Sequence, residues 1–168
     1  MKWILILLLA SSIVYGYEFY DFGREQMQIC VDKESFKSNG INPNKIIHAT
    51  RKAVREWNKY LPKNFKMKLV KESQYRIYCA PVEGNYYAIF EHDLVENGIL
   101  KAGGIRFNTN KQVNAHYEIM LHEIGHLLGL KHSDVEDATM YPYITTETGK
   151  LSQDDIDGIK AFYGSSTN

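Results

Sequence analysis

Between Pro43 and Pro62 the apolar residues Ile46, Ala53, Trp57 and Leu61, with Ile47 and Val54 beside them, recur at helical intervals. That spacing predicts an amphipathic helix, opened by Pro43 in its first turn, running to about Tyr60 and closed by Pro62. His48 falls with Arg51, Arg55 and Glu56 on the other face and reads as a solvated histidine. Before this helix, MQICVDK (Met27 to Lys33) is a short β-type run, followed by the turn cluster SNGINPN. After it, FKMKLVKESQYRIYCAP supplies strand material around a polar KES, and GGIRFNTN (Gly103 to Asn110) reads as a later strand. Glu83 to Lys101 holds one short apolar patch, Tyr86 to Phe90, and no assignable period.

A second helix is expected from near Val113, carrying Tyr117, Met120, Leu121, Ile124, Leu127 and Leu128 toward a core. A third runs from Asp154 through DDIDGIKAFYG. Ser152, with Asp155 three residues on, comes close to a capping box. Strand, helix and strand in that order imply a right-handed crossover and a mainly parallel sheet.

The apolar run at the start is of another kind. MKWILILLLASSIVYG has one positive charge, a short apolar stretch and small residues toward Gly16, which reads as a secretory signal peptide over residues 1–16. The stretch falls short of the roughly 20 residues that span a bilayer. One domain, 17–164, is expected to follow, with a short polar tail at 165–168, because 168 residues are too few for two comfortable domains. The chain balances 20 basic against 20 acidic residues. That balance gives no electrostatic case for nucleic acid or for a membrane surface once the leader is gone. In an oxidising compartment Cys30 and Cys79 are either one disulfide or two buried thiols, and sequence does not supply the Cα separation that decides.

The chemistry concentrates in HEIGHLLGLKH, His122 to His132. On a helix His122 and His126 project from one face a turn apart, where they can grip one ion. Glu123 points to the side, in the position of a general base acting on a water. Gly129 allows the positive φ that stops the helix sharply, and the turn returns His132 as a third ligand. Three imidazoles suit one catalytic Zn²⁺ with an open fourth position, where the water's pKa falls to about 7. Amide hydrolysis with Glu123 as proton carrier is the chemistry this set supports. His116, six residues before His122, sits about 120° off the ligand face and should not reach the ion.

With these residues in hand the chain resembles the metzincins, zinc peptidases defined by HExxHxxGxxH and a downstream Met-turn. Within them it is similar to the matrixins, the catalytic domains of matrix metalloproteinases. Ser133 after the third histidine, Met140 in HSDVEDATMYP and the closing LSQDDIDGIKAFYG carry that likeness. It implies an α+β fold, α/β-like in its strand–helix order: a twisted, mainly parallel mixed sheet with three helices. It also implies a secreted, extracellular, monomeric endopeptidase, with a protein or peptide substrate extended along an edge strand and a proteinaceous inhibitor as partner. Met140 would floor the zinc site, and Pro142 and Tyr143 would border the pocket beyond the scissile bond, with Ile144 where the family has a tyrosine.

Three departures from the family follow. About ten residues separate Tyr17 from the first strand, so a cysteine-switch propeptide is not expected. The structural zinc site is expected to be missing, since His92, taken as a solvated loop residue, and Asp93 would face Arg106 where a histidine belongs. Asn108 and Asn110 stand where acidic Ca²⁺ ligands would be, so calcium is admitted but not indicated. A freed amino terminus at Tyr17 could pair with Asp154 or Asp155, but both aspartates read first as residues favouring a helix N-terminus. The competing functional reading is a catalytically weak, zinc-containing peptide-binding module, which would have no use for Glu123; a zinc hydrolase acting on something other than protein is a further alternative.

Overall fold

A computed structural model of the chain describes residues 26–96, 99–111, 116–143 and 149–164. The leader, Tyr17, Val113, Ile144 and the 165–168 tail lie outside the described residues. Five strands, β1 (Gln26–Val31), β2 (Lys66–Val70), β3 (Tyr75–Ala80), β4 (Ala88–Glu96) and β5 (Ile99–Asn108), form one sheet in the order β2-β1-β3-β5-β4. The pairs β1–β2, β1–β3 and β3–β5 are parallel, and β4 lies antiparallel on β5 at the edge. The mixed, mainly parallel sheet expected from the strand–helix order is therefore present.

Among the described residues four helices accompany the sheet: α1 (Lys33–Ser38), α2 (Pro43–Trp57), α3 (His116–Leu127) and α4 (Gln153–Tyr163). The expectation of three helices missed α1. It is six residues long, capped by Asp32, whose side chain accepts the Ser35 N–H, and it drives the fully buried Phe36 into the core. So short a helix carries no periodic signal of its own.

The α2 pattern places Ile46, Ala53 and Trp57 in the core and leaves His48 exposed, as read from the sequence, and Ala49 is buried with them. The Trp57 indole N–H donates to the Leu121 carbonyl at 2.9 Å, a buried bond that fastens α2 to α3.

The strand material of FKMKLVKESQYRIYCAP forms two strands, broken at KES and laid on opposite sides of β1. Gln26–Cys30 pair with Lys66–Val70, and Ile29–Val31 with Tyr75–Ile77, so the chain crosses β1 between them. Ser73 in that crossing donates its hydroxyl to the Gln28 carbonyl, and the Cys30 thiol donates to the Ser73 carbonyl at 3.6 Å. Both cysteines are free and buried. Register explains why: Cys30 pairs with Arg76, and Cys79 lies three residues further along β3, about 10 Å away. A disulfide needs Cα atoms within about 7 Å.

The segment that showed no period contains β4. Its pairing with β5 slips between His92 and Val95, which destroys any simple alternation. His92 thus lies on a strand, not in a loop; its ring is exposed and stacks on Phe90 at 6.3 Å.

Candidate metal centre and active site

Helix α3 carries His122, Glu123 and His126, and ends in a turn built around Gly129. Gly129 has φ +94; its N–H donates to the His126 carbonyl and the Leu130 N–H to the Gly125 carbonyl, both at 2.9 Å. This paired arrangement is a Schellman stop, and it reverses the chain so that His132 faces the helix it has just left. The histidine ligand atoms of 122, 126 and 132 all lie within 4.8 Å of one another.

Their tautomers follow from their outer partners. Nδ1 of His122 lies 2.7 Å from the Thr139 carbonyl, and Nδ1 of His126 lies 2.7 Å from the Leu130 carbonyl. A carbonyl only accepts, so each Nδ1 carries the proton and each Nε2 presents a bare lone pair. Those Nε2 atoms stand 3.1 Å apart, with His132 Nε2 3.2 Å from that of His126. Acceptor facing acceptor is unfavourable unless a cation sits between. Tetrahedral Zn–N bonds of about 2.0–2.1 Å would set nitrogens about 3.4 Å apart, close to what is found. The donor set fits a zinc ion.

Burial works in the same direction. Desolvation lowers the pKa of His122 and His132, and brings His126 down to about 3 with the help of neighbouring His122. All three are therefore neutral ligands at pH 7. His132 is the exposed member, so one side of the cluster opens to solvent.

Glu123 is buried between α3 and the edge strand. Its Oε2 has no hydrogen-bond partner. Desolvation pushes its carboxyl up to about 8, against a lowering contribution from the backbone N–H of Phe90 on β4. An ionisable group kept in such a place beside an ion-binding cluster fits a proton carrier.

Met140 lies below α3, 2 % exposed. A Cβ on Gly125 would fall 2.2 Å from its sulfur and 3.1 Å from Trp57, so only glycine lets the methionine pack under the turn between the two helical histidines. That requirement, hidden within HEIGH, escaped the sequence reading. So did the partner that holds the methionine. The Asp155 carboxylate, 2 % exposed, accepts the N–H groups of Thr139 at 2.8 Å and Met140 at 3.0 Å, together with the Ser152 N–H and hydroxyl. The expected capping box is present, but Asp155 does more than favour a helix N-terminus. Asp154 accepts the hydroxyl of Ser133 at 2.6 Å, next to His132.

Other sequence candidates fall away from the cluster. His116 opens α3 and is not among the gathered ligands. Arg106 forms an ion pair with Glu91, whose other oxygen takes the Tyr78 hydroxyl, so the corner beside His92 is tied by charge pairing. Asn108 is 2 % exposed and fully engaged: its amide donates to the Val82 and Tyr86 carbonyls and its oxygen accepts the Val82 and Asn110 N–H groups. Pro142 and Tyr143 are exposed just beyond Met140, with the Tyr143 ring 5.9 Å from that of Tyr141.

A mixed five-stranded sheet above a helix bearing HExxH, with a methionine beneath it, defines an α+β metzincin fold. A family model described as matrixin matches residues 23–164. The chain belongs to the matrixin family. It is 58% identical over 53 residues to interstitial collagenase of Sus scrofa, covering 31% of this chain and 11% of that protein. Metalloendoproteinase 2-MMP of Arabidopsis thaliana is 54% identical over 52 residues, 30% of this chain and 14% of the relative. Karilysin of Tannerella forsythia is 38% identical over 87 residues, 52% and 16% respectively. The aligned segments thus span between 11% and 16% of these relatives.

Proposed function

We propose that the chain is a zinc-dependent endopeptidase, with His122, His126 and His132 as metal ligands and Glu123 as general base. The observation that carries this is the pair of unprotonated Nε2 atoms facing each other at 3.1 Å, beside a buried carboxylate with an orphan oxygen. Membership of the matrixin family supports it.

Bound zinc supplies Lewis acidity and brings the pKa of a water down to about 7. With the ion in place, Glu123 would act as general base towards a water beside it and would hand the proton on to the leaving amine. Thr139 and Leu130 hold the imidazoles in the tautomer that leaves Nε2 free. Met140 supports the turn of α3 from below. Strand β4 has one unpaired edge, and an extended peptide adding to that edge would run past Glu123 through Phe90.

The apolar run over 1–16 supports secretion, with 17–164 as a catalytic domain for protein or peptide substrates. No helix among the described residues is long and apolar enough to cross a membrane. The test is cleavage of a mixed peptide library by the chain from Tyr17 and by Glu123→Ala, with zinc content measured for both. Internal cleavage by the parent, and about one zinc per chain without cleavage in the variant, is the expected result. If both hold zinc and neither cuts, the endopeptidase reading is overturned in favour of a zinc-holding binding module.

A further inference from the structure

The charge that balances over the whole chain does not balance locally. On α2 the exposed residues Lys45, His48, Arg51, Lys52 and Arg55 occupy an arc of about 120° at 100° per residue. The helix has one acidic residue, Glu56, and it is paired with Lys59 at 2.6 Å. Among the described residues neither Lys45, Arg51 nor Arg55 has an ion-pair partner. Lys52 lies over the Tyr117 ring at 3.6 Å.

An exposed helix face is commonly laced with opposite charges at i,i+4, which support the helix. Here Arg51 and Arg55 stand at i,i+4, and Lys52 and Arg55 at i,i+3, so the repeated like charges weaken it. A ligand that neutralises them would remove that cost. We propose that this face of α2 is a docking surface for a sulfated polysaccharide.

Chemistry selects that partner over other polyanions. The exposed large apolar residues, Tyr86, Tyr87, Val135 and Tyr143, all lie off α2. The face therefore offers no large apolar side chain to enter a bilayer and, His48 apart, no ring on which a base could stack. What it offers is chiefly charge, in a band about 15 Å long from Lys45 to Arg55. The guanidinium forks of Arg51 and Arg55 suit tetrahedral oxyanions. The opposite face of α2 packs on the core through Ile46, Ala53 and Trp57, so a chain bound here leaves the histidine cluster open. The surface tethers the protein to an anionic matrix, independently of whether the cluster hydrolyses peptides.

Binding of a heparin octasaccharide and of its desulfated form to the zinc-loaded full chain, at 50 and 200 mM salt, tests this. A triple variant, Lys45→Gln with Arg51→Gln and Arg55→Gln, is run beside the parent. Expected are binding of the sulfated form alone, an affinity falling roughly fiftyfold across that salt range for four charges, and a loss of at least about tenfold in the variant. The variant should keep the parent's zinc content and show a thermal midpoint no lower than the parent's. The proposal is overturned if nothing binds at 50 mM salt, if the variant binds as the parent does, or if single-stranded RNA or anionic vesicles bind more tightly than the octasaccharide.

Discussion

The carboxylate of Asp155 holds the backbone N–H groups of Thr139 and Met140, and the Thr139 carbonyl in turn fixes the His122 ring. A residue on α4 thereby orients a ligand on α3. Asp155→Ala should destabilise the protein by about 3 kcal/mol, since buried N–H groups lose a charged acceptor. It should also weaken zinc binding by about tenfold or more, as loss of an outer partner does elsewhere. Urea unfolding of the metal-free protein and zinc titration read the two effects separately.

Gly125→Ala should cost about 1–3 kcal/mol, because the new Cβ meets the Met140 sulfur and Trp57. Paired with Met140→Ala, the two losses should be strongly non-additive, since the second change vacates the space the first invades. Additive losses in a double-mutant cycle would contradict the packing described.

The metal-free fold should be most stable just below neutral pH. Glu123, raised from 4.5 to about 8, favours the folded state fully below pH 4.5 and loses that contribution as pH rises toward 8. The histidines act oppositely: with pKa values lowered from 6.5, they bind protons better when unfolded, so stability falls as pH drops below 6.5. Over the range where both act, three histidines outweigh one glutamate, so urea midpoints should rise with pH to a maximum near about 6.5 and then decline toward 8 in the parent. Glu123→Gln should abolish the alkaline decline and keep the acidic one.

Asn108 ties the loop before β4 to β5 through four hydrogen bonds. Asn108→Ala should lower stability by about 2–3 kcal/mol. Asn108→Asp sets a carboxylate against the Val82 and Tyr86 carbonyls, so its thermal midpoint should rise on adding millimolar calcium while the parent's stays fixed.

What could be read from the sequence was local. HEIGHLLGLKH encodes its own geometry within eleven residues, and Ser152 with Asp155 announces the start of α4. The partners supplied by distant segments could not be read this way. Asp155 reaching Thr139, Phe90 reaching Glu123 and Glu91 reaching Arg106 each join elements whose adjacency only the folded sheet creates. Asn108 illustrates the limit: taken from the sequence as a weak cation ligand, it is a buried amide whose donors and acceptors are all used. Strand β4 was hidden because its register slips.

The clamp from Asp155 also sets an order of events. Among the described elements α4 is the last in the chain, so a growing polypeptide exposes its three histidines well before the carboxylate that steadies Thr139 and Met140 exists. Synthesis proceeds from the amino end at about 5–20 residues per second. The metal centre is therefore left unfinished until α4 has been made, and the order of synthesis itself delays the moment at which the three histidines are held ready for an ion.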